Sequence, residues 1–244
     1  MPRDGAIDAI LVVLQGGADV ALRVAALGWA ERCVVLDPAE LVGDVRLPPD
    51  TRRASDPAAA IAAVEAPWVW LMTDQEHMSP ELQTAVRAVT RSSPVVNGAV
   101  VRIEHRGVSA HLGARARTLR LARRSGLTLR IDRRLDVGLQ PGGPPRTVFA
   151  GLLERRTPAA VAEATVALEA ESRAVAMLLD AAGHQPTVRR AFASMCAAAW
   201  NLRTARRLDG RRVDQAIATV VGGYRSVLCY ARLWERAYAA GAVT

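Results

Sequence analysis

Two carboxylates stand two residues apart just after an apolar segment. Residues 68–72 read Trp-Val-Trp-Leu-Met, and Asp74 and Glu76 follow within four positions. Carboxylates at this spacing in a turn can share one divalent cation, Mg²⁺ or Mn²⁺. The structural alternative is that Asp74 points elsewhere and Glu76 caps or pairs with a nearby arginine. Glu76 is also a candidate general base, with His77 as the alternative.

Polar residues also follow the other apolar runs of the N-terminal half. The run 7–14 ends at Gln15 and Gly16, and the run 33–36 ends at Asp37. Gly16 before a helix can offer backbone N–H groups to a phosphate, or it simply forms a tight turn. The carboxyl ends of parallel strands meet at one edge of an open α/β sheet, where such folds bind ligands. We expect these residues to lie near Asp74 at that edge.

The apolar runs alternate with helical segments over the first 90 residues. Asp19 precedes an amphipathic helix, Asp56 precedes an alanine-rich one, and Ser79 is a typical N-terminal cap. This alternation predicts an α/β fold with a doubly wound, mostly parallel sheet, in which 68–72 is a central strand. Short alternating stretches between 95 and 131 predict a mixed extension of the sheet.

Arginines concentrate in one part of the chain. Of the net charge of +8, the segment 102–156 supplies an excess of nine, because thirteen arginines oppose four acidic residues there. Such an excess indicates an anionic partner, or a solvated surface. Arg120, Arg123 and Arg124, with Arg102 behind them, can clamp a diphosphate through bidentate hydrogen bonds and replace a metal. The structural alternative is a solvated strand edge.

The composition favours a cytoplasmic bacterial protein that does not bind nucleic acid. All 32 basic residues are arginine, a bias typical of GC-rich genomes. They are not interleaved with aromatic residues, which nucleic-acid recognition would favour. No apolar run reaches the roughly 18 residues of a membrane span, and no signal peptide is recognised. Cys33, Cys196 and Cys229 lie in apolar patterns, so we expect buried thiols.

The C-terminal part is helical in pattern. The Pro- and Gly-rich segment 140–145 predicts a linker or mobile loop, which divides the chain into units 1–140 and 157–244. Helices are predicted over 157–182, ended by Gly183, over 187–207 and over 211–240.

The last predicted helix carries an apolar surface made by Tyr224, Leu228, Tyr230 and Trp234. Three uses of this surface are open: an intramolecular core, a homo-oligomer, or peripheral contact with a membrane.

Four segments resemble, in order and approximate spacing, motifs of family-2 glycosyltransferases of the lipopolysaccharide-core type. They are LGWAERCVVLD at 27–37, WVWLMTDQEHMSPEL at 68–82, LRLARRSG at 119–126, and LDGRR at 208–212 followed by YARLWE at 230–235. The resemblance implies a GT-A-like fold with a helical C-terminal extension. It also implies transfer of a sugar from a nucleotide-sugar to a small-molecule, glycan or lipid-linked acceptor, with Asp37 in the nucleotide site.

The departures from this family fall on the chemistry. Thr73 and Gln75 stand where the family has the two aspartates of its metal-binding D-x-D, and 13–16 lacks the acid of the first strand. No carboxylate occupies 114–117, where the acceptor-activating aspartate is expected. The sequence therefore predicts a glycosyltransferase-like enzyme that need not use a metal. The alternative is a repurposed or inactive scaffold that binds a ligand, or does different chemistry, in the same cleft.

Overall fold

The computed structural model of the 244-residue chain describes residues 5–17, 19–92, 97–106, 116–132, 135–143, 147–156, 161–193, 196 and 212–241. The strands are β1 (Ile7–Val12), β2 (Arg32–Leu36), β3 (Thr51–Ala54), β4 (Trp68–Thr73), β5 (Glu76–Met78), β6 (Gly98–Arg106), β7 (Ala116–Arg123), β8 (Thr128–Ile131), β9 (Val137–Gln140) and β10 (Thr147–Arg156). The helices are α1 (Asp19–Ala26), α2 (Pro57–Ala63), α3 (Pro80–Ser92), α4 (Val161–Ala181) and α5 (Arg212–Ala239).

Eight strands form one sheet in the order β3-β2-β1-β4-β7-β6-β10-β5. The first four pair in parallel, β7 is antiparallel to both β4 and β6, and β10 is parallel to β6. Within the described chain, six of these eight strands therefore run in one direction, and β5 and β7 run against them. The predicted doubly wound, mostly parallel sheet is confirmed. The strand β4 lies inside it, as predicted, and is buried along its whole length.

Helices cover both faces of the sheet. One face packs against α1 and α3 through Val20, Val24, Leu82 and Val86. The other face packs against α2, α4, α5 and the β8–β9 hairpin, through side chains that include Ala60, Val175, Leu179, Leu233 and Leu139. Because both faces are covered, β1 and β4 are continuous apolar runs rather than alternating ones. The C-terminal helices thus share a core with the sheet.

The strand β10 was not predicted from the sequence. It follows the Pro- and Gly-rich segment and lies in the sheet between β6 and β5. The sheet therefore continues past residue 140. The described residues 141–143 of that segment lie between β9 and β10. The division into units 1–140 and 157–244 remains a prediction.

The C-terminal helices have the predicted positions where the structure describes them. The helix α4 ends at Ala181. Gly183, just beyond it, has a φ of +71°, and the backbone N–H of His184 donates a hydrogen bond to the carbonyl oxygen of Leu179, so the helix has a left-handed end. Residues 188–193 are helical and capped by the Thr187 hydroxyl. The rest of the helix predicted over 187–207 lies outside the described residues, apart from Cys196. No helix in the described ranges combines the length and apolarity that would be required to cross a membrane.

The cysteines divide into two classes. Cys33 and Cys229 are buried free thiols, as predicted, and burial raises the pKa of each to about 12. Cys196 is exposed, so the prediction that it is buried was wrong.

Candidate functional site

The strand order reverses beside β1. The chain passes from β1 outward through β2 and β3, and then returns to place β4 on the other side of β1. Crevices at the carboxyl ends of strands at such a reversal are where doubly wound folds bind ligands. Here the turn after β1 holds Gln15 and Gly16, and the turn after β4 holds Asp74 and Gln75. The candidate site is therefore formed by these two turns.

Asp74 joins the two turns. Its Oδ2 accepts hydrogen bonds from the backbone N–H groups of Gln15 and Gly16, both at 2.9 Å. Its Oδ1 is buried and has no hydrogen-bond partner among the described residues. Burial raises the pKa of Asp74 to about 6, although the hydrogen bonds from Gln15 and Gly16 act to lower it. This carboxyl group can therefore exchange a proton near neutral pH.

Gly16 has a φ of +73°, and a Cβ there would lie 2.7 Å from both Cβ and O of Leu41. Only glycine satisfies both the backbone conformation and this close approach. The turn thus presents two N–H groups at the carboxyl edge, as the sequence suggested for a phosphate. In the structure, however, Asp74 accepts both of them.

Glu76 lies in a different environment from Asp74. It is completely buried, and its Oε1 accepts hydrogen bonds from Arg120 at 2.6 Å and from Arg155 at 2.8 and 3.2 Å. Its Oε2 accepts the backbone N–H of Thr73 at 2.9 Å. Burial would raise the pKa of Glu76, but the charges of Arg120 and Arg155 hold it below its usual value. Both oxygens are thus engaged, so the expected roles of Glu76 as a base and metal ligand give way to the structural alternative, an ion pair with arginine.

The ion pairs of Glu76 belong to a buried network that reaches the C-terminal helices. Arg155 also binds Asp136 at 2.6 Å, and Arg225 of α5 binds Glu171 of α4 at 2.6 Å. Burial would raise the pKa of Asp136, but the charges of Arg155 and Arg225 hold it well below its usual range. With Arg120, the network thus contains three carboxylates and three guanidinium groups. They are those of Glu76, Asp136 and Glu171, and of Arg120, Arg155 and Arg225. This network ties the turn after β4 to β7, β10, α4 and α5.

Two of the predicted binding residues, Arg120 and Asp37, already use their polar atoms in hydrogen bonds within the chain. Arg120 is fully buried, and beyond Glu76 it donates to the carbonyl oxygen of Val137 at 2.8 Å. The guanidinium has no access to the surface in this structure, so its expected role as a diphosphate clamp stays a prediction that this geometry does not support. Asp37 lies at the carboxyl edge, but its two oxygens accept the N–H groups of Leu41 and Val42 at 2.8 and 2.9 Å.

The other predicted arginines lie away from the switch point, which is the place beside β1 where the strand order reverses. Arg123 pairs in register with Trp68, its guanidinium lies 4.6 Å from that ring, and the backbone N–H of Arg124 binds Pro67. Both therefore lie at the amino end of β4, at the opposite edge of the sheet from Asp74. Arg102 is exposed on β6, which is separated from β4 by β7. The predicted arginine cluster is thus not assembled at the site.

Two arginines that the sequence did not single out lie at the site instead. Arg23 of α1 contacts both ring nitrogens of His77, at 2.6 Å to Nδ1. Arg156, at the end of β10, donates its backbone N–H to Gln75 at 2.9 Å. Burial lowers the pKa of Arg23, the charge of Arg156 lowers it further, and Asp19 and Asp74 oppose this. Burial and the charges of Arg23 and Arg156 lower the pKa of His77, which favours the neutral ring.

Neither of these two guanidinium groups forms an ion pair within the part of the chain that the structure describes. Two unpaired cations beside the switch point attract an anion. Arg23 was recognisable in the sequence as the only basic residue of the helix that follows the β1 turn. Arg156 was not, since it depends on the unpredicted strand β10.

The residues around 74–76 do not fit the Mg²⁺ or Mn²⁺ ion that the resemblance implies. The charge of Glu76 is already compensated by two arginines, and Oδ2 of Asp74 already accepts two N–H groups. In the described ranges, no group of three or more His, Cys, Asp or Glu side chains is arranged to hold a metal ion. A cation here would have to displace existing ion pairs.

Comparisons with known proteins give structural likeness only. No family model matches the chain, and no curated protein matches its sequence. Residues 1–349 of TarS from S. aureus have 9% identity and a TM-score of 0.37, with 97% of this chain and 92% of that chain covered. The mannosyltransferase PcManGT from Pyrobaculum calidifontis, in complex with GDP-Man and Mn²⁺, has 12% identity and a TM-score of 0.39, with 97% and 76% covered. At such low scores these likenesses carry no argument about fold or activity.

Proposed function

We propose that this chain binds a nucleotide-sugar, or a related anionic small molecule, between the turns after β1 and β4. We further propose that it is a glycosyltransferase-like enzyme that works without a metal. The observation that carries the proposal is that Arg23 and Arg156 lie close enough to act on each other and on His77 beside these turns, and that neither guanidinium forms an ion pair among the described residues. The four sequence segments that resemble family-2 glycosyltransferases support the reaction class.

The two arginines suit a diphosphate leaving group. Departure of a nucleoside diphosphate from a sugar develops negative charge on its oxygens, and preorganised cations stabilise that charge in the transition state. A guanidinium group binds phosphate oxygens through paired N–H donors and stays charged. Arg23 is partly buried, so its interaction with an anion is less screened by water than that of an exposed arginine.

Asp74 is the group best suited to activate an acceptor hydroxyl. Its pKa of about 6 lies near the working range of a general base, and its Oδ1 carries no other hydrogen bond among the described residues. The proposed step requires the turn after β4 to open, because Oδ1 is buried in this structure. Oδ1 then takes the hydroxyl proton, the acceptor oxygen forms a bond to the anomeric carbon, and the bond from that carbon to the diphosphate breaks. The diphosphate leaves with the electron pair toward Arg23 and Arg156. Glu76 holds the turn in place.

A binding scaffold without transferase activity is the second candidate. It is favoured by one observation: the carboxylates of Asp37, Asp74 and Glu76 all accept hydrogen bonds from this chain's own N–H groups or arginines. Such a protein would keep the anion site of Arg23 and Arg156 and lose the chemistry.

The experiment that separates the two candidates measures binding and turnover on the same full chain. UDP-, GDP- and CDP-linked sugars are titrated calorimetrically in EDTA, and release of nucleoside diphosphate is then followed with a panel of acceptors. Binding with release that Asp74→Asn abolishes supports the enzyme. Binding of a nucleotide without release from any donor supports the scaffold. Absence of binding by all three nucleotide classes contradicts both.

A further inference from the structure

The helix α5 presents a second apolar face to solvent. Its exposed large apolar residues range from 40% exposed at Val227 to 69% at Val220. We define the α5 stripe as Val220, Tyr224, Val227, Ala231, Trp234 and Tyr238, all of them exposed. The opposite face of α5, with Cys229 and Leu233, already packs against the sheet. Among the residues that the structure describes, the intramolecular core therefore covers one face of this helix and not the stripe.

The spacing of the stripe is that of a helix that pairs with another helix. Its members follow one another at alternating intervals of four and three residues, and the sequence keeps the same intervals back to Val213 and Ile217. A repeat of 3.5 residues keeps one apolar seam facing a partner helix along its full length. A stripe that only filled gaps in a globular core has no need of this regularity.

The charges around the stripe favour a second copy of the chain over a membrane surface. A helix that lies on a membrane offers free Lys or Arg side chains to anionic lipid. The three arginines of α5 whose side chains the structure describes are instead paired within the chain. They are Arg225 with Glu171, Arg232 with Glu169 and Glu235, and Arg236 with Asp180. The stripe itself carries no charge.

We propose that the α5 stripe is the interface of a homodimer, in which two copies of α5 pack side by side about a two-fold axis. The 28 residues of α5 form a seam about 40 Å long. The three aromatic side chains expose on the order of 300 Å², and the remaining seam supplies the rest of the roughly 800 Å² per partner of a standard interface. Trp234 and Tyr238 stack at 5.5 Å between ring centroids, which makes this end of the seam preorganised.

Sedimentation velocity of the full chain over about a hundredfold range of concentration tests the dimer. Wild type is expected at twice the monomer mass. Val227→Asp places two like charges on the seam and is expected to weaken association at least about 100-fold. Leu22→Asp is the matched control, because Leu22 is 69% exposed on α1, across the sheet from α5. It should leave the dimer intact.

Val227 is exposed in the monomer, so its variant should keep the circular dichroism spectrum and the secondary structure of wild type. If Val227→Asp does unfold, Trp234→Ser provides the same test at another exposed position. Monodisperse wild-type monomer at every concentration overturns the proposal. So does wild-type monomer that sediments with anionic phosphatidylserine vesicles, which would assign the stripe to a membrane surface.

Discussion

Asp74 and Glu76 lie two positions apart, and the fold gives their carboxylates opposite environments. Asp74 meets only backbone N–H groups, so burial dominates and its pKa rises to about 6. Glu76 meets two guanidinium groups, so their charges outweigh burial and its pKa falls. One side chain can therefore exchange a proton and the other cannot. Groups whose environments separate their pKa values in this way are typical of acid–base sites.

Replacing Glu76 by glutamine should destabilise the fold strongly. The change leaves Arg120 and Arg155 buried without their shared carboxylate, and breaking a buried ion pair in this way costs about 3–5 kcal/mol. Urea unfolding monitored by circular dichroism measures the loss. Glu81→Gln, on the exposed first turn of α3, is the control and should leave the midpoint nearly unchanged. Equal midpoints for the two variants would contradict a structural role for Glu76.

Asp74 should make stability depend on pH. Its pKa in the folded chain is about 6, above the value of 3.8 expected without burial, so the folded state holds the proton more tightly than the unfolded chain. The stabilisation is complete below about pH 4 and is lost as the pH rises through about 6. This pKa difference corresponds to about 3 kcal/mol.

The measurement compares wild type with Asp74→Asn, which cannot titrate at this position. The unfolding free energy of wild type minus that of the variant should fall by about 3 kcal/mol between about pH 3 and pH 7. All other titrating groups are common to both proteins and cancel. A difference that stays constant with pH would show that Asp74 is not buried as described.

At the scale of elements, the turn between β1 and α1 sets the geometry of the site. Gly16 and Gly17 both have positive φ, but a Cβ at Gly17 would meet nothing within 4 Å, whereas at Gly16 it would meet Leu41 at 2.7 Å. A side chain at either glycine would strain the backbone, but only a side chain at Gly16 would also overlap a neighbouring residue. Gly16 also supplies one of the two N–H groups that hold Asp74.

Gly16→Ala should destabilise the chain more than Gly17→Ala does. Both changes place an alanine in the left-handed region, which costs about 1–2 kcal/mol of stability. Only Gly16→Ala adds a steric clash with the backbone and side chain of Leu41. Thermal unfolding of the two variants in parallel gives the comparison. Equal losses of stability would mean that the close approach of the β1 turn to Leu41 is wrong.

The elements were largely predictable from sequence, and the site only partly. Ser79 and Asp56 cap their helices as predicted, and the apolar run 68–72 is the central strand, because local caps and continuous burial leave local signatures. The burial of Arg120 was not predicted, since arginines on one strand look alike until the sheet register separates buried from exposed positions. Glu76 was recognised as a site residue, but its two arginine partners are distant in sequence.

At the scale of the whole molecule, the buried ion network joins the candidate site to the C-terminal helices. The chain Glu76–Arg155–Asp136, with Arg225 and Glu171 beyond it, connects the turn after β4 to α4 and α5. The Glu76 end fixes the turn that carries Asp74. The helices therefore share a buried ion network with the site, and the sheet continues past residue 140 through β10.

We propose that arginine, rather than a metal ion, holds an anionic nucleotide at the switch point. Calorimetric titration of UDP, GDP and CDP into wild type, Arg23→Gln and Arg130→Gln, each in EDTA and in Mn²⁺, separates the two possibilities. Arg130 is an exposed arginine of β8 on the far side of the sheet and serves as the control. We expect wild type to bind one of these nucleotides equally with and without metal. Arg23→Gln should weaken that binding about tenfold or more, because it removes a charged hydrogen-bond donor, and Arg130→Gln should leave it unchanged. Binding that requires Mn²⁺ and is unaffected by Arg23→Gln would contradict the claim.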